Sequence, residues 1–235
     1  MNDAVVRPFG DRAWLVQPTG TVPTAWVLNL ARRAARRWPQ AQIVPGLDSV
    51  LIVREVAWSG PTTRRAESPE GPDAVDGTGW WPTSPAAVLE ALVEATAQDP
   101  VEDERSGRTH RIGVRYDGLD LAHTATLLSL PAEELAVRHR RARWTVAAVG
   151  FSPGFGYLTC DDPVFAEVPR RADPRPKVPS GSVAVAAGLC AVYPAATPGG
   201  WQLIGTTTAP LWTADRVPPA LLRVGDLVRF EALDD

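Results

Sequence analysis

A five-residue stretch of the chain matches the pattern of a catalytic serine. Residues 150–154 read Gly-Phe-Ser-Pro-Gly, which fits the G-x-S-x-G turn of α/β-hydrolases. In that turn the residue after the serine donates its backbone N–H to the oxyanion, but Pro153 has no N–H. The hydrolase fold also places its histidine after the serine, whereas the last histidine here is His139. The pattern therefore argues against a serine hydrolase.

Other patterns that could carry chemistry are incomplete. Residues 154–156 begin like the dinucleotide-binding G-x-G-x-x-G, but Thr159 stands where the last glycine belongs. The sequence contains no G-x-x-x-x-G-K-[ST] phosphate loop. Cys160 and Cys190 fit neither a disulfide framework nor a zinc site, and the three histidines are spread along the chain. We therefore expect no metal centre and no cofactor bound by this chain alone.

Two segments are unusually dense in proline, glycine and polar residues. Residues 175–183 read Arg-Pro-Lys-Val-Pro-Ser-Gly-Ser-Val, and residues 197–205 read Thr-Pro-Gly-Gly-Trp-Gln-Leu-Ile-Gly. Proline and glycine at this density fix unusual backbone geometry, and Ser180, Ser182 and Gln202 add hydrogen-bonding groups. Rigid turns of a barrel and a ligand-binding surface both agree with this composition.

The first part of the chain has the pattern of a small α/β domain. Apolar periodicity predicts strands and helices there, at 13–16, 24–38, 42–45, 49–56 and from 84 onward. A following strand at 111–116 completes the order β-α-β-β-α-β of a ferredoxin-like layer. The stretch 59–84 is rich in proline and glycine and has no periodicity, which predicts a long mobile loop.

The second part is mainly strands after a helical start. The predicted helices are 120–128 and 131–141, and the predicted strands are 144–149, 182–187, 189–193, 201–204 and 226–230. Proline- and glycine-rich turns between them favour a β-barrel or sandwich. A polar run at 98–108 predicts the linker. We therefore expect an α+β protein with an α/β domain at 1–105 and a barrel domain at 106–235.

Composition excludes several classes of protein. The chain has 235 residues, 45% of them hydrophobic, and a net charge of −3. The strongly basic surface of a nucleic-acid-binding protein is absent, so the arginines near the two predicted helices do not favour a DNA-binding helix-turn-helix. No apolar run reaches the length of a membrane span, and the N-terminus lacks a signal pattern. We expect a cytoplasmic protein with no nucleic-acid or membrane partner.

Four motifs in fixed order resemble one protein family. They are Gly-Phe-Ser-Pro-Gly-Phe-Gly-Tyr-Leu at 150–158, Val-Pro-Ser-Gly-Ser-Val at 178–183, Tyr-Pro at 193–194, and the segment 197–205. The family is that of the 5-oxoprolinase B subunit, also called allophanate hydrolase subunit 1 or sporulation-kinase inhibitor. The same module forms half of the carboxyltransferase domain (subdomains C and D) in urea carboxylase. The resemblance spans nearly the whole chain and implies an N-terminal α/β domain followed by a cyclophilin-like β-barrel.

The resemblance also implies a function that depends on partners. Members of this family work with two further proteins, a carboxyltransferase-like C subunit plus the A subunit, to open 5-oxoproline to glutamate with ATP hydrolysis. ATP would therefore act at the level of the complex. Kinase-inhibitor relatives instead bind a sensor histidine kinase. A stand-alone, repurposed cyclophilin-like enzyme or small-molecule binder is a third possibility.

Site residues follow from the same resemblance. Arg175 would suit a carboxylate or phosphate ligand through its paired N–H donors. Gln202 could form hydrogen bonds with an amide, and His139 could have either an acid–base or a structural role. His139 and Arg175 are thus the catalytic candidates. The substrate-binding candidates are Phe151, Pro153, Gly154, Phe155, Tyr157, Pro179, Ser180, Gly181, Ser182, Tyr193, Gly199, Gly200, Trp201 and Gln202.

Two segments depart from the family pattern. Residues 187–191 read Ala-Gly-Leu-Cys-Ala where the family usually has Gly-Asn/Lys-Gln-Thr-Gly, and residues 206–208 read Thr-Thr-Thr instead of Arg-Thr-Pro. An amide, a hydroxyl and an anion-binding arginine are thereby lost, which predicts an altered ligand or a mainly protein-binding role. Cys190 is a candidate nucleophile, although a buried strand cysteine is commoner.

Overall fold

Residues 4–10, 12–20, 24–54, 81–82, 84–97 and 107–233 are described by the structure, a computed structural model. The chain divides into two units, Met1–Asp103 and Glu104–Asp235. Most of the predicted loop at 59–84 and most of the predicted linker at 98–108 lie outside the described residues.

The first unit is a four-stranded antiparallel sheet with two helices. Its elements are β1 (Ala4–Pro8), β2 (Ala13–Pro18), α1 (Thr24–Arg37), β3 (Ala41–Pro45), β4 (Val50–Arg54) and α2 (Pro85–Ala97). The strands lie in the order β1-β2-β4-β3. Both helices and three of the strands agree with the sequence pattern. The pattern does not reveal strand β1, because Val6 is its one buried residue and no apolar alternation results.

The core of this unit lies between the helices and the sheet. Strands β2 and β4 contribute three fully buried residues to this core, Val16, Val50 and Ile52. Helix α1 packs against them with Val27, Leu30 and Ala34, the next residue Trp38 adds its ring, and α2 contributes Val88 and Leu92. Each fully buried aliphatic side chain contributes about 1.5–3 kcal/mol. At the start of α2, the Ser84 Oγ accepts a hydrogen bond from the Ala87 N–H at 3.2 Å, as an N-cap does.

The second unit is built on a seven-stranded sheet. Its helices are α3 (Leu121–Leu127) and α4 (Ala132–Arg141), with a short 3-10 turn at Pro163–Glu167. Its strands are β5 (Thr109–Val114), β6 (Trp144–Val149), β7 (Gly156–Thr159), β8 (Arg175–Val178), β9 (Ser182–Ala186), β10 (Leu189–Val192), β11 (Thr197–Gly199), β12 (Gln202–Thr206) and β13 (Leu227–Ala232). The sheet order is β12-β9-β10-β7-β6-β13-β5, and β8 pairs with β11 in a separate two-stranded sheet.

The ends of the seven-stranded sheet meet, so the sheet is nearly a closed barrel. Just beyond β5, Arg115 exchanges two backbone hydrogen bonds with Thr206 of β12, at 2.9 and 2.8 Å. The predicted α+β class, with an α/β unit followed by a barrel, is therefore confirmed.

One predicted pairing is wrong. The sequence pattern places the strand at 111–116 in the ferredoxin-like layer, but β5 belongs to the barrel and pairs in parallel with β13. Ile112, for example, lies opposite Phe230. The apolar pattern identifies a strand but cannot identify its sheet, because that depends on a partner far along the chain.

Alternation along the strands separates two faces of the barrel sheet. On β9, Val183 and Val185 enter the barrel core, which all seven strands of this sheet line. Ala184 and Ala186 point to the opposite face, where they join a smaller apolar group that we call the outer cluster. The outer cluster consists of Phe155, Val178, Ala184, Ala186, Ala191, Tyr193, Trp201 and Leu203, with Tyr157 and Leu189 packed against it.

Candidate functional site

Aromatic rings dominate the outer cluster. The Phe155 ring lies at its centre, with centroids 4.9 Å from Tyr157, 5.4 Å from Tyr193 and 6.2 Å from Trp201. Edge contacts of this kind stabilise aromatic pairs beyond their buried area. The floor beneath the rings is made of small residues, since Ala184 and Ala191 lie opposite each other on β9 and β10. Small side chains there leave room for rings to lie against the sheet.

The turn 150–154 brings Phe151 to this cluster. Phe151 adopts a positive φ of 64° and Gly154 one of 82°, and the Phe151 ring packs 5.2 Å from Phe155. The chain then enters strand β7 rather than a helix. The buried Ser152 Oγ has no hydrogen-bond partner among the described residues. No base in that part of the chain activates this serine, which agrees with the sequence argument against a serine hydrolase.

The Tyr193 hydroxyl lies at a glycine-lined edge of the outer cluster. A Cβ on Gly199 would collide with this hydroxyl oxygen, so the close approach requires glycine at that position. Burial is the main effect that raises the pKa of Tyr193, and the charge of nearby Tyr157 adds to it, while Arg170 and Arg175 oppose it. The phenol therefore stays protonated and can donate a hydrogen bond.

The turn 179–182 holds Tyr193 in place. The Gly181 N–H donates to the Tyr193 carbonyl at 2.8 Å, and the Tyr193 N–H donates to the Ser182 carbonyl at 2.9 Å. The Ser180 hydroxyl donates to the Pro194 carbonyl at 2.9 Å. Gly181 has a φ of 81° and packs against the backbone of Thr207, so it tolerates no side chain. In the structure, therefore, the polar groups of this turn bind the protein itself.

The buried carboxylate of Asp120 forms ion pairs with two arginines beside the outer cluster. Asp120 accepts a paired hydrogen bond from Arg175, at 2.9 Å and 2.7 Å, and a third from Arg171 at 3.2 Å. The Leu203 N–H donates to the same carboxylate at 2.8 Å. Arg175 also lies opposite Gly199 in the β8–β11 pair. The arginine predicted to bind an anionic ligand thus pairs with a carboxylate of the protein.

Competing effects set the ionisation of Asp120. Burial alone would raise its pKa, but the hydrogen bonds from Arg175 and Leu203 and the charges of Arg175 and Arg171 outweigh burial and lower the pKa. Asp120 is therefore ionised at neutral pH. With two guanidinium groups and one carboxylate, this group of three side chains carries a net charge of about +1.

Gln202 lies on the other face of strand β12. Leu203 belongs to the outer cluster, whereas Gln202 pairs with Val185, which faces the barrel core. Its Nε2 donates to the Pro169 carbonyl at 3.1 Å, and its buried Oε1 has no partner among the residues that the structure describes. Gln202 is thus separated from the aromatic rings.

His139 is fully buried in the barrel core. Its Nδ1 is 2.9 Å from the Tyr116 hydroxyl, and its Nε2 is 3.3 Å from the Cys190 Sγ. Its ring stacks on Phe230 at 4.4 Å, and its carbonyl accepts a hydrogen bond from the Trp144 indole at 3.0 Å. Both ring nitrogens therefore have partners inside the protein.

Burial makes His139 and Cys190 unreactive. It lowers the pKa of His139 to about 3, so the imidazole is neutral at physiological pH. Burial also raises the pKa of the Cys190 thiol well above its usual value, with a smaller contribution from Cys160. A nucleophilic cysteine needs a thiolate, which is favoured by a lowered pKa. This geometry supports a structural role for His139 and Cys190.

The predicted site residues therefore divide into two groups. The outer cluster and its margin bring together Phe151, Gly154, Phe155, Tyr157, Pro179, Ser180, Gly181, Ser182, Tyr193, Gly199, Gly200 and Trp201, with Arg175 beside them. Pro153 is exposed in the turn 150–154. His139, Cys190 and Gln202 face the barrel core. The sequence did not indicate Asp120 and Arg171 as site residues. An aspartate before a helix ordinarily indicates an N-cap, which hides the role of Asp120.

Neither a cluster of metal ligands nor a membrane-spanning helix occurs among the described residues. No group of three or more histidine, cysteine, aspartate or glutamate side chains there is arranged to hold a metal ion. Within the same residues, no helix is both long enough and apolar enough to cross a bilayer.

The fold and the site define a two-unit α+β protein whose barrel carries an aromatic cluster and paired arginines on one face. Residues 4–222 match the family model for the carboxyltransferase domain, subdomain C and D. The chain belongs to this family, as the four sequence motifs predicted.

Two relatives illustrate the similarity. The chain is 38% identical over 157 residues to the 5-oxoprolinase B subunit of Bacillus subtilis (strain 168), a match that covers 65% of either protein. It is 35% identical over 208 residues to the 5-oxoprolinase B subunit of Escherichia coli O157:H7, covering 87% of this chain and 83% of the relative. The chain thus matches just under two thirds of the length of the Bacillus protein.

Solved structures share the fold within longer chains. The crystal structure of TTHA0988 superposes with a TM-score of 0.67 at 30% identity, covering 95% of this chain but 40% of that one. Urea carboxylase of Kluyveromyces lactis superposes with a TM-score of 0.63 at 17% identity, covering 98% of this chain and 22% of that one. The latter likeness concerns the fold alone.

Proposed function

We propose that this chain is one component of an ATP-dependent 5-oxoprolinase of the carboxyltransferase type, and that the outer cluster forms one wall of its substrate site. The family and the names of the relatives support the first part. The second part depends on one observation, the convergence of aromatic rings, a protonated phenol and paired arginines on one face of the barrel.

This combination suits 5-oxoproline, a flat lactam ring that carries a carboxylate. The half-buried ring of Tyr157, which packs against the buried Trp201, offers apolar surface for the lactam. The Tyr193 hydroxyl, at the glycine-lined edge, can donate a hydrogen bond to the lactam carbonyl oxygen. The net positive charge of Arg171, Arg175 and Asp120 favours the carboxylate. Since Asp120 already holds Arg175, we assign Arg175 an electrostatic and positioning role rather than acid–base chemistry.

The proposal assigns the remaining chemistry to partners. The sequence has no phosphate-binding loop of the Walker type, so ATP use belongs to the complex with the A and C subunits. His139 is enclosed in the barrel core and cannot reach a substrate on the outer face. A cytoplasmic location is part of the same proposal.

Reconstitution tests the proposal directly. The chain is mixed with the separately purified A and C subunits of its host, and glutamate formation from 5-oxoproline is measured with and without ATP. We expect turnover that needs all three proteins, and Tyr193→Phe should lower kcat/KM about tenfold, the effect of losing about 1.4 kcal/mol in the transition state.

Tyr116→Phe is the matched control, because it also removes one hydroxyl from the barrel but on the core side. Equal losses in both variants would contradict the assignment of the outer cluster. Absence of turnover by the complete mixture would contradict the proposed reaction itself. The histidine-kinase inhibitor and the stand-alone binder stay predictions from the sequence.

A further inference from the structure

The segment 170–175 carries three arginines, Arg170, Arg171 and Arg175, at the margin of the outer cluster. We propose that Arg170 is the specificity-determining residue that binds the carboxylate of the substrate directly, an inference that rests on the proposed function. Arg171 and Arg175 have a different role, because the protein itself occupies their guanidinium groups.

Arg171 and Arg175 are held by acceptors of the protein. Both terminal nitrogens of Arg175 donate to the Asp120 carboxylate, at 2.9 and 2.7 Å. Arg171 donates from one terminal nitrogen to the same carboxylate at 3.2 Å, and from its Nε to the Asp173 carbonyl at 3.3 Å. A ligand carboxylate would therefore have to displace a buried, ionised acceptor to pair with either arginine.

Arg170 has different surroundings. It is exposed, and within the described ranges its guanidinium has no ion-pair or hydrogen-bond partner in the protein. A guanidinium presents two parallel N–H donors in the geometry that fits a carboxylate. Arg170 can therefore pair with a ligand carboxylate without breaking an existing contact, which distinguishes it from Arg171 and Arg175.

The backbone around Arg170 is held on both sides. The Pro169 carbonyl, just before it, accepts a hydrogen bond from the Gln202 Nε2 at 3.1 Å. The Arg171 N–H, just after it, donates to the Gly200 carbonyl at 2.8 Å. Both contacts lead to the segment 200–202, which borders the outer cluster. Because its neighbours are fixed in this way, the backbone of Arg170 loses little conformational freedom when a ligand binds.

The same contacts bring Arg170 close to the Tyr193 hydroxyl. The residue before Gly200 is Gly199, whose missing side chain makes room for that hydroxyl. The electrostatics agree with this position. Burial raises the pKa of Tyr193, and of the two arginines that oppose this rise Arg170 acts more strongly than Arg175. A neutral phenol and a guanidinium therefore border one glycine-lined edge of the outer cluster.

Two donors of this kind match the two polar ends of 5-oxoproline. The lactam carbonyl is neutral and accepts a hydrogen bond from the Tyr193 phenol, while the carboxylate pairs with the guanidinium of Arg170. Hydrogen bonds between two charged groups are about twice as strong as those between neutral groups. Arg170 thereby distinguishes 5-oxoproline from a lactam that lacks the carboxylate.

Steady-state kinetics of the reconstituted complex with 5-oxoproline test this assignment. Arg170→Gln should raise KM about tenfold or more and leave kcat within about twofold, because a carboxylate that does not react is bound equally in the ground state and the transition state. Arg170→Lys keeps the charge but loses the paired donors, so it should recover part of that loss. Arg143→Gln is the matched control, since it removes one exposed positive charge of the same unit outside the outer cluster.

A ligand without the carboxylate separates recognition of that group from damage to the site. The lactam 2-pyrrolidinone, which has the ring of 5-oxoproline but no carboxylate, is added as a competitive inhibitor. Its inhibition constant should be the same for the wild type and for Arg170→Gln, whereas KM for 5-oxoproline differs between them. Equal changes in the two constants would overturn the inference, because Arg170 would then shape the lactam site instead of binding the carboxylate.

The outcomes separate this inference from the proposed function. If Arg170→Gln keeps the wild-type KM while Tyr193→Phe lowers kcat/KM, Arg170 does not bind the carboxylate and the proposed function stands. If Arg170→Gln and Arg143→Gln raise KM equally, the effect is one of net charge and the inference is wrong. If the complete mixture forms no glutamate, both fail.

Discussion

His139 should make the stability of the second unit depend steeply on pH. The pKa of its imidazole is about 3 in the folded protein and about 6.5 in an unfolded chain. Since the unfolded state binds the proton more tightly, this residue contributes stability above pH 6.5 that is lost as the pH falls toward 3. Each pH unit in that window lowers the free energy of unfolding by about 1.4 kcal/mol.

The magnitude between two convenient pH values follows directly. Between pH 7 and pH 5, protonation of His139 in the unfolded state should remove about 2 kcal/mol. A neutral replacement abolishes this difference. His139→Gln is expected to be less stable than the wild type at pH 7, because its contacts with Tyr116 and Cys190 are lost. Its decline in stability between pH 7 and pH 5 should be about 2 kcal/mol smaller.

The measurement must report on the second unit. Hydrogen–deuterium exchange of the β6 peptide in increasing urea, at pH 7, 6 and 5, gives the free energy of unfolding of this unit. His123→Gln is the control, because His123 is an exposed histidine on α3. If wild type and His139→Gln lose the same free energy between pH 7 and pH 5, His139 is not the buried neutral group described.

Three other substitutions test further parts of the second unit by thermal and urea unfolding. Ala187→Asn should stabilise by about 0.5–1 kcal/mol, since Ala187 has a φ of 49° that asparagine adopts more readily; a lower Tm would contradict the turn geometry. Asp120→Asn should cost about 2–3 kcal/mol, because two partly buried guanidinium groups lose their carboxylate. The lowered pKa of Asp120 means that the wild type loses this advantage as the pH falls below the ordinary value of 3.8, so the two proteins should converge in acid. Ser152→Ala should change stability by less than about 0.5 kcal/mol and leave turnover intact, since the Oγ has no partner among the described residues; a large loss of activity would revive the serine nucleophile.

Elements with a local pattern are predictable from sequence, and distant pairings are not. Helix α1 is predictable because Val27, Leu30 and Ala34, together with Trp38 just after its end, recur at helical spacing. The sequences of β8 and β11 indicate turns instead of strands, because prolines and glycines break their pattern and they pair only with each other. Strand β5 is recognisable but its sheet is not, since its partner β13 lies at the other end of the unit.

The candidate site, too, is only partly predictable from the sequence. The four motifs identify the aromatic residues of the outer cluster, but the sequence cannot say which face of the sheet each residue occupies. Gln202 and Trp201 are adjacent in sequence and yet lie on opposite faces. The contact of His139 with Cys190 spans 51 residues, and Asp120 meets Arg175 across 55. Contacts at such separations depend on barrel closure and leave no local pattern.

The parallel pairing of β5 with β13 affects how the protein is made. β5 is the first strand of the second unit to leave the ribosome and β13 the last. Until β13 arrives, β5 lacks its neighbour in the sheet and β6 has one open edge. Unpaired strand edges can pair with other chains. Domains dominated by contacts between residues far apart in sequence also fold slowly. The nascent second unit therefore keeps these strand edges open until its final strand has been synthesised.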